Sequence, residues 1–147
     1  MKLILFIGRK RTGTSSIYNL LKLKNFSYLY SQESDELISS YEGILKKLRK
    51  EKIVVQVSPN YFSSFRAMYH CSLLKKEGVR IKIYSIIREN EEWRKSYLNY
   101  MFLKGEMKNN VLTKEFETFF QQNNSEFYIN RWKKIANEYF IGSITSN

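Results

Sequence analysis

Three apolar runs separated by segments of helical periodicity constrain this fold more than any other feature. The runs are 3–7, the stretch KIVVQVSPN from Lys52 to Asn60, and 79–87. The first run is continuous and bounded by Gly8, which is typical of a strand that is buried on both faces of a sheet. Between the runs, apolar residues recur at helical spacing. The alternation predicts βαβ units and a parallel sheet covered by helices on both faces, which is the α/β class.

Weaker patterns complete the predicted order of elements. Phe26–Ser31 predicts a short second strand and Phe140–Ser146 a closing strand. Helices are predicted over Thr14–Lys24, Ser34–Lys50, Ser63 or Ser64 to Gly78, Asn90–Gly105, Thr113–Gln122 and Ser125–Tyr139. The lysine-rich stretch 46–52 is interpreted as a solvated helix end. No repeat or linker divides the sequence, so we expect a single domain over residues 1–147.

The segment IGRKRTGTSS, residues 7–16, joins the first predicted strand to the first predicted helix. Gly8 and Gly13 allow a tight turn and a close approach of the backbone to a ligand. The amide groups at a helix N-terminus carry partial positive charge and lack internal partners, so they favour an anion. The hydroxyls of the three residues from 14 to 16 add donors at the same point. This pattern predicts a phosphate-binding loop.

The loop departs from the Walker pattern, in which a lysine follows the second glycine, because Thr14 stands at that position. Positive charge lies earlier, on Lys10 and Arg11. The strand that ends near Ser58 supplies no aspartate for magnesium, and the later strand supplies Glu89 only after a basic residue. ATP-dependent phosphoryl transfer is therefore disfavoured, although a P-loop kinase or other NTP-binding protein stays open as an alternative.

A second anion site is indicated by the segment IIRENEEWRKSYLNY. Arg88 ends a predicted strand, at the edge where ligands bind in open parallel sheets. Ser96 follows eight residues later on the next helix, and a turn and a half of helix would let both residues reach one phosphate. The alternative is that Arg88 pairs with a neighbouring glutamate and Ser96 has no part in binding.

Together these segments resemble the sulfotransferases that use 3′-phosphoadenosine-5′-phosphosulfate (PAPS), especially small bacterial members. The loop resembles their G-x-x-[KR]-[ST]-G-[TS]-[TS] motif, with Arg11 at the basic position. Arg88 and Ser96 keep the spacing of their 3′-phosphate segment, and 58–62 resembles the [ST]-P-x-Y-F stretch of heparan-type enzymes. The resemblance covers Met1 to about Met101. It implies a three-layer P-loop NTPase-like fold with a mainly parallel sheet of four to five strands.

The resemblance also implies a reaction and a set of site residues. A sulfuryl group would pass from PAPS to a hydroxyl or amine of an acceptor, such as a carbohydrate or small metabolite, and leave 3′-phosphoadenosine 5′-phosphate (PAP). Lys10 or Arg11 would stabilise the charge that develops on the bridging oxygen. Nucleotide-binding residues would be Arg9, Lys10, Arg11, Thr12, Gly13, Thr14, Ser15, Ser16, Arg88 and Ser96.

The general base is not identified by the resemblance. Heparan-type enzymes have a glutamate and a lysine before the [ST]-P-x-Y-F stretch, but Gln56 and Val57 occupy those positions here. Steroid and phenol sulfotransferases use a histidine, and His70 is the single histidine of this chain. His70 is therefore a catalytic candidate, and further candidates for the base are Glu33, Asp35 and Glu89. The aromatics Tyr61, Phe62, Phe65 and Tyr69 are interpreted as stacking or core residues.

Composition limits the partners. A net charge of +11 favours anionic ones. A basic nucleic-acid-binding module and a degenerate PAP-binding protein stay open, but the cations are scattered and no nucleic-acid motif occurs. No His/Cys/Asp cluster has metal-ligand spacing, so we expect no metal. No run approaches the roughly 20 apolar residues of a membrane span. With Cys71 as the one cysteine, a cytoplasmic protein is expected.

Overall fold

The computed structural model describes residues 1–8, 14–24, 29–30, 35–88, 90–105 and 125–144. The elements are β1 (Lys2–Gly8), α1 (Thr14–Leu23), β2 (Leu29–Tyr30), α2 (Glu36–Ser39), α3 (Tyr41–Glu51), β3 (Ile53–Ser58), α4 (Phe65–Lys76), β4 (Arg80–Arg88), α5 (Asn90–Leu103), α6 (Ser125–Ile135) and β5 (Glu138–Ile144).

The five strands form one parallel sheet in the order β2-β3-β1-β4-β5. The central strand β1 pairs with β3 on one side and with β4 on the other. The three apolar runs are therefore the three middle strands of the sheet. The predicted α/β class and the mainly parallel sheet are confirmed, and the layers have the arrangement of a P-loop-like fold.

Helices cover both faces of the sheet. On the first face, the side of Leu3, Leu5 and Ile7, the core is closed by α2, α3, α4 and α6. Trp132 of α6 is fully buried there, and its indole nitrogen donates to the Phe62 carbonyl at 2.8 Å. On the second face, α1 packs against β1 and β3. The chain therefore leaves β1 toward one face and leaves β3 toward the other.

Two helix predictions need correction. The helix predicted over Ser34–Lys50 is two helices, because Ser40 has φ −143° and ψ 68°, which no α-helix accommodates. This break lets Leu37 of α2 and Ile44 of α3 both enter the core. The last predicted helix ends at Ile135 rather than at Tyr139. The closing strand β5 begins at Glu138 rather than at Phe140.

The other boundaries agree with the sequence. Ser64 caps α4, since its hydroxyl accepts from the Ala67 amide at 3.1 Å, and Gly78 after the helix has φ +88°. The described part of the predicted second strand is Leu29–Tyr30. Ser34, where one predicted helix begins, and the predicted helix Thr113–Gln122 lie outside the described residues.

Candidate functional site

The topology opens a crevice at the carboxyl edge of the sheet, between β1 and β3. After β1 the chain continues into α1 on the second face, whereas after β3 it continues into α4 on the first face. Ligands of open α/β sheets bind where neighbouring strands diverge in this way. The register pairs Ile7 with Ser58, so both strands reach this edge together.

The strand and the helix that flank the predicted phosphate loop both border this crevice. β1 ends at Gly8, and α1 begins at Thr14, so five residues join them. Residues 14–16 form the first turn of α1, whose amides are directed out of the helix N-terminus. Such a helix end favours an anion. The predicted residues Arg9, Lys10, Arg11, Thr12 and Gly13 lie outside the described residues, so their contacts stay predictions.

The second predicted anion site begins on the neighbouring strand. Arg88 ends β4, two residues beyond Ile86, which pairs with Gly8. With about 3.3 Å per residue and about 4.8 Å between strands, the backbones of Gly8 and Arg88 lie about 8 Å apart. Ser96 is a half-buried residue of α5. The exits of β1 and β4 thus lie within the span of one nucleotide.

Polar side chains meet where β3 approaches α2. Gln56 is fully buried, and its amide nitrogen donates to Glu36 Oε1 at 3.0 Å. Its Oε1 accepts a hydrogen bond from the fully buried Tyr61 hydroxyl at 2.7 Å. That hydroxyl in turn accepts from the Leu37 amide at 3.1 Å. A buried amide and a buried phenol are therefore satisfied by a carboxylate and a backbone group of α2.

The same network extends to α3 and to the loop after β3. Lys47 Nζ lies 2.6 Å from Glu36 Oε2, and about a third of its side chain is exposed. Asn60 donates to Asp35 Oδ1 at 2.9 Å, while its backbone amide donates to Ser58 Oγ at 3.0 Å. We call Asp35, Glu36, Lys47, Gln56, Asn60 and Tyr61 the β3 network.

His70 contacts α2 from the first face of the sheet. Its Nδ1 lies 2.6 Å from the Leu37 carbonyl oxygen, and the ring packs at 5.3 Å from Tyr41. Because a carbonyl oxygen only accepts, Nδ1 carries the proton, and Nε2 of the neutral ring is then an acceptor. This contact gives the histidine a role in holding α2 against α4. Its predicted part in catalysis is not tested by this contact.

The aromatic side chains named from the sequence divide into two groups. Tyr61 and Phe62 are buried, whereas Phe65 and Tyr69 are mostly exposed on α4. A groove of about 500 Å³ on one side of these two residues is lined by α4 and α6, including Arg131. A second groove, of about 700 Å³, lies on the other side and includes His70. Phe65 and Tyr69 are therefore exposed enough to stack on a ligand.

Other reactive groups can be assessed directly. Cys71 is fully buried, and burial raises the pKa of its thiol, so the nucleophilic thiolate is absent near neutral pH. Within the described ranges, no group of three or more His, Cys, Asp or Glu side chains could hold a metal ion. No described helix is both long and apolar enough to cross a membrane. Glu33 and Glu89, two candidates for the base, lie outside the described residues.

The contacts of two residues of the β3 network, Glu36 and Lys47, could not be predicted from the sequence. Glu36 lies near the start of the helix predicted over Ser34–Lys50, and Lys47 lies in the stretch that is interpreted as a solvated helix end. Their mutual contact joins α2 to α3 across eleven residues of sequence, and the contact of Glu36 with Gln56 spans twenty residues. Helical spacing would have placed Lys47 beside the core residues Ile44 and Leu48, which is the one signal that could have identified it.

Comparison with known proteins gives little further information. No protein-family model matches the sequence, and no curated protein matches it. Among solved structures, the crystal structure of APE1195 is similar at a TM-score of 0.40 and 18% sequence identity, over 90% of this chain and 96% of that chain.

Proposed function

We propose that the protein is a PAPS-dependent sulfotransferase that moves a sulfuryl group to a hydroxyl or amine of an acceptor. The observation that carries this proposal is the convergence of three segments. The segments with the family resemblance, at 7–16, 58–62 and 88–96, follow or end the adjacent strands β1, β3 and β4 at one edge of the sheet. A nucleotide bound at the first and last of these segments would lie beside the second.

Each segment has a distinct role in the proposal. The loop cations Lys10 and Arg11, with the amides at the start of α1, would hold the 5′-phosphosulfate and stabilise charge on the leaving oxygen. Arg88 and Ser96 would hold the 3′-phosphate. A guanidinium suits this task because it donates in a fork that matches phosphate oxygens. The net charge of +11 adds long-range attraction for such a polyanion.

The acceptor in this proposal is a carbohydrate or small metabolite, and the reaction belongs to the cytoplasm. Thr14 in place of the Walker lysine supports a sulfate donor over a nucleoside triphosphate. A P-loop kinase would instead need that lysine and a magnesium-binding carboxylate.

Ligand-dependent melting tests the proposal. PAP should raise the melting temperature by mass action, and ATP with magnesium at the same concentration should raise it less. Arg88→Ala and Ser96→Ala should each remove the difference between the two nucleotides. Arg80→Ala is the matched control, because Arg80 is exposed at the opposite end of the same strand. It should keep the full PAP shift.

The opposite results identify the alternatives. A larger shift with ATP and magnesium would favour a kinase or another NTP-binding protein. No shift with either nucleotide, together with binding to oligonucleotides that weakens steeply with salt, would favour a nucleic-acid-binding module.

A further inference from the structure

We propose that Glu36 is the catalytic base that takes the proton of the acceptor, a role that rests on the proposed sulfotransferase function. The sequence does not identify the base. Gln56 stands where heparan-type enzymes have a glutamate, and its amide cannot accept a proton at neutral pH. In the structure, that amide is hydrogen-bonded to a carboxylate from another element, at 3.0 Å.

The strand order separates a donor side from an acceptor side. A nucleotide that contacts the loop after β1 and residue 88 at the end of β4 occupies the edge over those two strands. β3 and β2 lie on the opposite side of β1. The edge over β3 and β2 is thus where an acceptor can approach the sulfuryl group. Two carboxylates, Asp35 and Glu36, hydrogen-bond to β3 or to the loop that follows it.

Hydrogen-bond directions fix the orientation of the Glu36 side chain. The Tyr61 hydroxyl accepts from the Leu37 amide, so its own proton goes to Gln56 Oε1. The Gln56 amide nitrogen must then face Glu36, and it is a donor. Lys47 Nζ, which is only a donor, contacts the other carboxylate oxygen. Each oxygen of Glu36 therefore has a donor that holds it in place.

Asp35 differs from Glu36 in each of these respects. Its contact with Asn60 is exposed, and no lysine contacts it in the described part of the chain. The Glu36 side chain is about one-fifth exposed, so it is largely fixed by the protein but still reachable. Lys47 is a positioning residue, since it acts on the substrate only through Glu36.

The reaction then balances without a further reagent. The acceptor oxygen forms a bond to the sulfur of PAPS, and the bond between sulfur and the bridging oxygen breaks. The electron pair of that bond stays on the phosphate of PAP, whose charge the loop cations stabilise. The acceptor proton passes to a carboxylate oxygen of Glu36, which later releases it to water.

The test compares PAP formation from PAPS in wild type, Glu36→Gln and the matched control Glu51→Gln, at an exposed glutamate that ends α3. Excess glucosamine serves as a probe acceptor with both hydroxyl and amine groups, and water alone as a second acceptor. Glu36→Gln should lower the rate about 100-fold or more, the usual range for loss of a general base. It should leave the PAP-induced melting shift intact. Glu51→Gln should keep both the rate and the shift.

A swap variant distinguishes a base from a structural contact. Glu36→Gln combined with Gln56→Glu keeps an acid and an amide across the same hydrogen bond but moves the carboxylate to β3. It should not recover the rate lost in Glu36→Gln, because the side chain at position 56 is fully buried, whereas a purely structural role predicts recovery.

Three results would overturn the assignment of Glu36. They are a wild-type rate in Glu36→Gln, an equal loss in Glu51→Gln, and a wild-type protein that binds PAP but forms none from PAPS with either acceptor. Absence of PAP binding in the wild type would instead overturn the proposed function itself.

Discussion

Replacing Tyr61 with phenylalanine tests how much of the stability depends on the β3 network. The ring is fully buried, and its hydroxyl contacts two other groups at 2.7 and 3.1 Å. Tyr61→Phe keeps the ring but leaves the Gln56 carbonyl oxygen and the Leu37 amide without this partner. Each unsatisfied buried group costs about 1–3 kcal/mol. Since the groups can partly relax, we expect the free energy of unfolding to fall by about 2–4 kcal/mol.

Urea unfolding followed by far-ultraviolet circular dichroism measures this loss of free energy. In a thermal melt, the melting temperature should fall by roughly 10 °C. Tyr128→Phe is the matched control. Tyr128 is 9% exposed, packs its ring 5.6 Å from that of Phe62, and makes no hydrogen bond through its hydroxyl to the described residues. That variant should lose less than about 1 kcal/mol. Equal, small losses in both variants, with unchanged denaturant slopes, would refute the reasoning.

The remaining predictions concern α4. Ser64→Ala should lower the free energy of unfolding by about 1 kcal/mol, because the first turn loses its cap, while Ser63→Ala at the exposed neighbouring position should not. Burial raises the pKa of the Cys71 thiol, so only the unfolded chain ionises there above about pH 8.5. Stability should therefore be unaffected by this group below that pH and fall above it, by about 1.4 kcal/mol per pH unit. Cys71→Ala should lack this part of the decline in urea titrations between neutral and alkaline pH; identical pH dependence in both proteins would contradict it.

The middle strands of the sheet could be predicted because each is recognisable from one short stretch of sequence. The three middle strands direct one face into the buried core and are half-buried on much of the other, so apolar residues predominate in each stretch. The break at Ser40 could not be predicted in this way. Residues on both sides of it keep helical spacing, and the break depends on how Leu37 and Ile44 reach the same core. The start of β5 was obscured for a related reason, since Tyr139 continues the helical pattern of the preceding helix while its backbone pairs with Ile83.

The candidate site was predictable only where it is contiguous in sequence. The phosphate loop and the 88–96 segment each lie within a short stretch, so spacing alone indicates them. The β3 network draws Glu36, Lys47, Gln56 and Tyr61 from four separate segments, and its contacts depend on how α2 is placed over β3. A buried glutamine in an apolar strand was the visible sign that a polar partner had to exist.

The central claim is that the exit of β4 holds the 3′-phosphate of a nucleotide whose other end lies at the loop after β1. Calorimetric titration with PAP and with adenosine 5′-monophosphate tests it most directly, because the two ligands differ only in that phosphate. We expect PAP to bind about tenfold more tightly or better, equivalent to about 1.4 kcal/mol, and Arg88→Ala to remove the difference. Equal affinities of the wild-type protein for the two ligands would contradict the claim.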